Sequence, residues 1–167
     1  MASVSLDEAA RVAEPHDVGV IAGLVREALD AIADQRGGEL WTLRHSRSLP
    51  ADTSVADAIG DDDHLVVVGT LDESVVGYLM ARVEVLPDKS VLAVIDDLFV
   101  LPDGRQVGVG GEMMSLAMQW ARDRDCRGID AAALPGDRHT KNFFESNGLV
   151  ARAILVHHAL TDPAPDA

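Results

Sequence analysis

The run Leu98-Phe99-Val100-Leu101-Pro102-Asp103-Gly104-Arg105-Gln106-Val107-Gly108-Val109-Gly110, followed by Gly111, decides how this chain is read. Its first residues close an apolar stretch, 91–100, of strand character. Residues 101–107 read as a loop. From 108 to 125 the residues Met113, Leu116, Ala117, Trp120 and Ala121 recur at helical spacing, so a helix starts at the glycines. At such a junction the unpaired backbone N–H groups and the positive end of the helix dipole point the same way. Glycines at 108, 110 and 111 put no Cβ in the path of a diphosphate, and Arg105 adds a fixed positive charge.

Three rival readings are weaker. No Gly-Lys-Ser/Thr follows, so this is not a Walker A loop. A dinucleotide fingerprint wants a third glycine where Met113 stands, although Asp130 lies on the following strand. The glycines could also serve only tight helix–strand packing.

Outward from this run the chain falls into alternating elements. Residues 9–13 form a short strand, and Pro15 opens a helix marked by Val18, Ile21, Leu24, Val25, Leu29 and Ile32, which ends at Gly37-Gly38. Residues 39–50 read as irregular and 54–59 as a short helix. Strands follow at 65–68, at 75–85 with Gly77 as a bulge candidate, and at 91–100. Beyond the helix at 108–125 come a strand at 128–134, a helix at 138–146 stopped by Asn147-Gly148, and a strand or strand pair over 149–160. Hairpins first and a crossover later imply one α/β (α+β) domain over 1–167, a mixed sheet with helices on both faces. Residues 1–7 and 161–167 read as loose ends.

Apolar residues make up 47% of the 167, enough for a core without staples. The net charge of -14 disfavours nucleic acid and anionic membranes as partners. It would suit a cationic small molecule, though solubility is the plainer reading. No secretory leader is expected, and no apolar run approaches the roughly 18–20 residues of a membrane span. A single cysteine, Cys126, fits a reducing, cytoplasmic setting.

The quoted run resembles the GNAT superfamily of N-acetyltransferases, which carry Arg/Gln-x-x-Gly-x-Gly/Ala at a helix start after an apolar strand and Pro. A second stretch, Asp137-Arg138-His139-Thr140-Lys141-Asn142-Phe143-Phe144-Glu145-Ser146-Asn147-Gly148-Leu149, is similar to that family's Asn-x-x-Ala-x-x-Phe-Tyr-x-x-x-Gly-Phe. The resemblance covers about residues 9–160 and is sharpest over 91–149. It implies a mostly antiparallel sheet whose central strands, 91–100 and 128–134, splay apart around acetyl-CoA. The pantetheine arm would pair with the backbone of Leu98 and Val100, beside Phe99. The N–H groups of Gln106, Val107, Gly108, Val109, Gly110 and Gly111 would hold the pyrophosphate, next to Arg105. Asp137 and Phe144 would join the cofactor site. Lys141 or Arg138 would meet the 3′-phosphate, unless both are solvated helix charges. A homodimer is a further expectation from the family.

Acyl transfer to an amine needs a neutral amine, a donor for the developing oxyanion and a proton for the leaving thiolate. Two carboxylates, Asp96 and Asp97, stand inside the apolar strand, where they are costly unless used or paired. Alternation would put them on opposite faces. Polyamine acetyltransferases of the superfamily carry Glu-Asp at this offset, which makes Asp96 the base, directly or through water, and leaves Asp97 an internal partner. The backbone N–H of Leu98 or Phe99 would face the oxyanion. The family's acidic tyrosine falls on Phe144, which has no proton to give. His139, Ser146 or water could replace it, or the thiolate could leave unaided. Alternatively, the domain is a catalytically weak acyl-CoA-binding regulatory module. Tyr78, the lone tyrosine, suits the core better than the acceptor pocket.

The acceptor is expected to be a primary amine of a small molecule or peptide, bound by residues 35–54 and 149–158. Trp41, Arg44, His45 and Arg47 could line that cleft and favour a carboxylate. The preferred reading has Trp41 pinning the loop while the arginines offset acidic surface. His157 and His158, adjacent on a strand, cannot easily chelate one ion and read as surface residues; no metal is expected.

Overall fold

The tight turn at Asp72-Glu73 joins strand β2 (His64–Leu71) to β3 (Ser74–Val85), and both its residues take left-handed backbone angles, φ 47° and 66°. That twist matches the right-handed twist of the paired strands. In the computed structural model, which describes residues 7–45 and 50–160, this hairpin separates two cores. Val66, Val68, Tyr78 and Met80 point to one face; Leu65, Val67, Leu79 and Ala81 point to the other. Helices α1 (Val18–Ala33) and α3 (Ala51–Ile59) cover the first face with Ile21, Leu24, Val25 and Val55. Helices α4 (Val109–Asp123) and α5 (Arg138–Ser146) cover the second with Met113, Met114, Ala117 and Phe144. Between α1 and α3 runs α2 (Gly38–His45).

The sheet order is β1-β2-β3-β4-β5. β1 (Glu8–Val12) and β4 (Val91–Val100) flank the hairpin in antiparallel pairing, and β5 (Ile129–Asp130) runs parallel to β4. This is the mixed, mostly antiparallel sheet with helices on both faces that the sequence implies. Among the described residues no helix is long and apolar enough to cross a membrane.

Two irregularities shape β3 and β4. Opposite Gly69 and Thr70 the register steps from Gly77 to Val75, leaving Val76 as an extra residue beside the suspected Gly77. More important, Met80 faces Asp97 while Ala81 faces Ile95, so Asp96 is a β-bulge in β4. The parity of the strand flips there: Ile95 and Leu98 both join the α4–α5 core.

The structure corrects three element assignments. The stretch 39–50 was read as irregular, yet Gly38–His45 is helical; it lacks an apolar stripe that would betray it. The strand expected at 128–134 shrinks to Ile129–Asp130, because pairing with β4 stops at Val94, just before the bulge. Residues 149–160 form no strand: Leu149 packs on the core and 150–160 are exposed. Strand propensity is expressed only against a partner edge.

At the entrance to α1, Asp17 is 3% exposed and takes two hydrogen bonds from Arg11, at 2.7 and 2.8 Å, plus one from the Glu14 backbone N–H. The Arg11 guanidinium holds its carboxyl below the usual 3.8, against the opposing effect of burial. A depressed acid stabilises the fold above its unfolded pKa and loses that contribution as pH falls through its folded pKa. Arg11→Met should therefore cost about 2 kcal/mol at neutral pH, read from urea unfolding. The cost should shrink as the pH is lowered below 4.

Candidate active site

Beyond Val94 the second half of β4 pairs only with β3, and the backbone groups on its other edge meet no strand among the described residues. A cavity of about 820 Å³ occupies the gap. One wall is Ile95–Val100; the other includes Ala132, Ala133 and Leu134. Its floor is the strand-to-helix turn, and α5 closes one end through Phe143, Phe144 and Asn147. This is the splaying that the resemblance implies.

The turn has the backbone form that suits an anion. Gln106 (φ 68°) and Gly108 (φ 94°) take left-handed conformations, with Gly108 as the N-cap of α4. Such alternation turns successive N–H groups inward, and a helix start leaves its own unpaired. Among the described residues no protein acceptor meets the backbone N–H groups of 106–111. Arg105, Gln106, Gly108, Gly110 and Gly111 line the cavity, whereas the side chain of Val109 is buried in the core and that of Val107 packs against it. The glycines differ in their reasons. At Gly108 the backbone angle demands it; at Gly110 a Cβ would stand 3.0 Å from the Phe143 ring; at Gly111 nothing lies within 4 Å. Only Gly111 is open for the purpose the sequence suggested. Arg105 donates from Nε to the Val100 carbonyl at 2.9 Å and lies over Phe99, so its charge is fixed at the end of β4. That carbonyl is thus already engaged.

Other assigned residues are placed unevenly. Leu98, Phe99, Val100 and Phe144 line the cavity, as does Asp137. The Asp137 carboxylate is also the N-cap of α5, accepting from the Thr140 N–H and hydroxyl at 2.9 and 2.7 Å. Lys141 does not reach the cavity; it pairs with Glu145 at 2.7 Å on the outer face of α5, and Arg138 is absent from the wall too. Asp130 is bound by Arg152, which holds its carboxyl below the usual range.

The Asp96 bulge overturns the expectation that Asp96 and Asp97 face opposite sides. Both line the main cavity and also a second cavity of about 320 Å³, together with His45, Asp57, Asp61 and His64. Asp96 is ion-paired to Arg82 at 3.2 Å. Asp61 accepts from the Asp63 N–H at 2.9 Å and meets His64 at 3.0 Å; these contacts hold its carboxyl below the usual range.

Helix α2 supplies what sequence reasoning had set aside. Trp41 and His45, stacked at 4.0 Å, line the main cavity instead of pinning a loop to the core. Gln35 Oε1 and Thr42 Oγ1, on the same wall, are buried without a hydrogen-bond partner among the described residues. Arg44 lines neither cavity, and Arg47 lies outside the described residues. Tyr78 is both core and cavity wall. Of the candidate acids, His139 and Ser146 both line the cavity, and the Ser146 hydroxyl donates to the Phe143 carbonyl at 2.8 Å. Cys126 lines neither cavity, and burial pushes its thiol up.

Residues 26–149 match the family described as acetyltransferase (GNAT) family. The chain belongs to that family. An uncharacterised N-acetyltransferase, YhfO, of Bacillus subtilis (strain 168) is 30% identical over 71 residues, 42% of this chain; the match spans about half, 48%, of that relative's length. Among solved structures, the aminoglycoside acetyltransferase meta-AAC0020 from an uncultured soil metagenomic sample, in complex with sisomicin, aligns at TM-score 0.67 and 20% identity, over 95% of this chain and 97% of its own. AAC(6')-Iy with a CoA-containing bisubstrate analogue aligns at 0.69 and 18%, over 93% and 99%. A tetramutant of the BH1408 protein from Bacillus halodurans aligns at 0.75 and 19%, over 90% and 99%. The likeness to the solved structures, at 18–20% identity, is one of fold.

Gly111→Val should leave the thermal midpoint nearly unchanged, since a Cβ there meets nothing. It should weaken CoA binding about tenfold or more, roughly 1.4 kcal/mol, by calorimetric titration.

Proposed function

We propose that this protein is a cytoplasmic N-acetyltransferase that moves an acetyl group from acetyl-CoA to a primary amine of a compact polycationic small molecule. The observation that carries the acceptor class is the second cavity, whose carboxylates Asp57, Asp61, Asp96 and Asp97 open onto the cofactor cavity at the last two. Carboxylates within a few ångströms attract an ammonium far more strongly in a walled cleft than on open surface. The unpartnered Gln35 oxygen is likewise an acceptor facing an incoming donor. The arginines that argued for an anionic acceptor supply no described side chain to either wall. The aminoglycoside acetyltransferases of the same fold are compatible with this reading.

Acetyl-CoA supplies an activated acetyl thioester. The turn 106–111 binds its diphosphate through backbone N–H groups, and the β4 edge at Leu98, short of the engaged Val100 carbonyl, orients the arm. Asp96 accepts the amine's proton, directly or through one water, so that a lone pair is exposed only at the end of the cleft. Arg82 donates from Nε to the Asp96 carboxylate and orients it. The backbone N–H of Leu98 or Phe99 faces the oxygen that gains charge. Phe144 only packs; the departing thiolate leaves unaided or takes a proton from His139 or water. With no nucleophile assigned, transfer is direct within a ternary complex.

Thiol release from acetyl-CoA, measured across aminoglycosides, linear polyamines, simple monoamines and amino acids, tests this. Turnover confined to the polycations, weakening with salt, is expected. Turnover only on monoamines or amino acids contradicts the acceptor class, and acetyl-CoA binding with no turnover favours the regulatory-module reading. Asp96→Asn should lower kcat about 100-fold or more and flatten the acid limb of the pH profile. Asp57→Asn should raise KM for a polycation about three- to tenfold with little change in kcat, the pattern of lost substrate binding.

A further inference from the structure

The second cavity holds more than acids. His45 reaches it from the end of α2 and His64 from the start of β2, beside Asp57 of α3, Asp61 of the preceding turn, and Asp96 and Asp97 of β4. His45 also lines the main cavity, where it stacks on Trp41 at 4.0 Å, so it stands where the two cavities meet. Histidine is the side chain whose charge ordinarily changes between about pH 5 and 8. Two of them among carboxylates make the charge of this wall a function of pH.

The geometry gives a charged ring a partner that a neutral one lacks. His64 Nδ1 is shut off from solvent and lies 3.0 Å from Asp61 Oδ2, yet it makes no aligned hydrogen bond among the described residues. A proton on that ring turns an idle contact into an ion pair. The cross-strand neighbour of His64 is Arg82, whose Nε already bonds Asp96 at 3.2 Å and whose Nη1 meets Glu84 at 3.3 Å. The turn adds Asp62 and Asp63, and Arg124 donates to the Asp62 carbonyl. None of these further charged groups lines the cavity. Arg82 thus offsets one of the four wall carboxylates, and two imidazoliums would offset two more.

We propose that His45 and His64 gate acceptor capture by pH: neutral, they leave the carboxylates to an incoming polycation; protonated, they take its place. The inference rests on the reading of this cavity as the acceptor's, and it adds the condition under which the cavity is open. A polyamine carries at least as much charge at about pH 5.5 as at about pH 7.5, so its own titration would tighten binding as the pH falls. The histidines reverse that sign.

Calorimetric titration of the full chain with spermidine and with kanamycin, without acetyl-CoA, reads capture apart from the Asp96 proton step. Kd should rise about tenfold or more between about pH 7.5 and about pH 5.5. In His45→Gln combined with His64→Gln the rise should fall below about twofold. Equal affinity at the two pH values in the unaltered chain, or a full rise kept by the double variant, overturns this inference alone. No binding of either cation at either pH overturns the acceptor reading together with it. Titrations of the unaltered chain at about pH 6, in buffers of different ionisation heat, cover a variant that fails to fold. Protons should be released as spermidine binds, because proton and polycation each weaken the other's hold. Binding without proton release overturns the gate.

Discussion

The one-residue bulge at Asp96 is the constraint on which the rest of the site depends. It follows from pairing Met80 with Asp97 but Ala81 with Ile95. A bulge bends its strand and adds twist. Here β4 stays with β3 on one side and parts from β5 on the other immediately after Val94. The gap, the unpaired strand edge and the common placement of two carboxylates are three results of a single extra residue. A regular strand would continue the ladder to β5 and send one carboxylate into the α4–α5 core, where it would be unsatisfied and expensive.

In the proposed reading the cofactor side of the site relies on backbone. N–H groups in a left-handed turn, a helix start and a free strand edge recognise shape and charge without needing particular side chains. That explains how Phe144 can replace a tyrosine, and Asp137 can act as a helix cap, while the site keeps its architecture. Lys141, offered together with Arg138 either for a phosphate or as a solvated helix charge, pairs with Glu145 four residues on along the same helix face. The acceptor side is the reverse. Its character comes from side chains on four separate elements, α2, α3, β4 and the segment before β2.

That difference governs what could be read from sequence. The turn, α1, α4, α5 and the first four strands have strong local signals: periodicity, glycines, a capping residue, a hairpin turn. Helix α2 carries no apolar stripe, so Trp41 and His45 were read as loop residues. Asp57 and Asp61 are ordinary acids on a helix and a turn until the fold brings them beside Asp97. The bulge has no local signature either; alternation placed Asp96 and Asp97 apart because parity is a property of pairing, not of sequence. The pairing of exposed Arg11 with buried Asp17 was equally silent. Residues 149–160 have the composition of a strand, but composition alone does not say whether a segment will pair.

The central claim is that the diphosphate lies on the turn and the arm lies in the gap opened by the bulge. Backbone amide shifts during a titration with CoA test it most directly. The account predicts the largest changes at Leu98–Val100 and at Gln106–Gly111, saturating together. Largest changes elsewhere, or none at the turn, would contradict it.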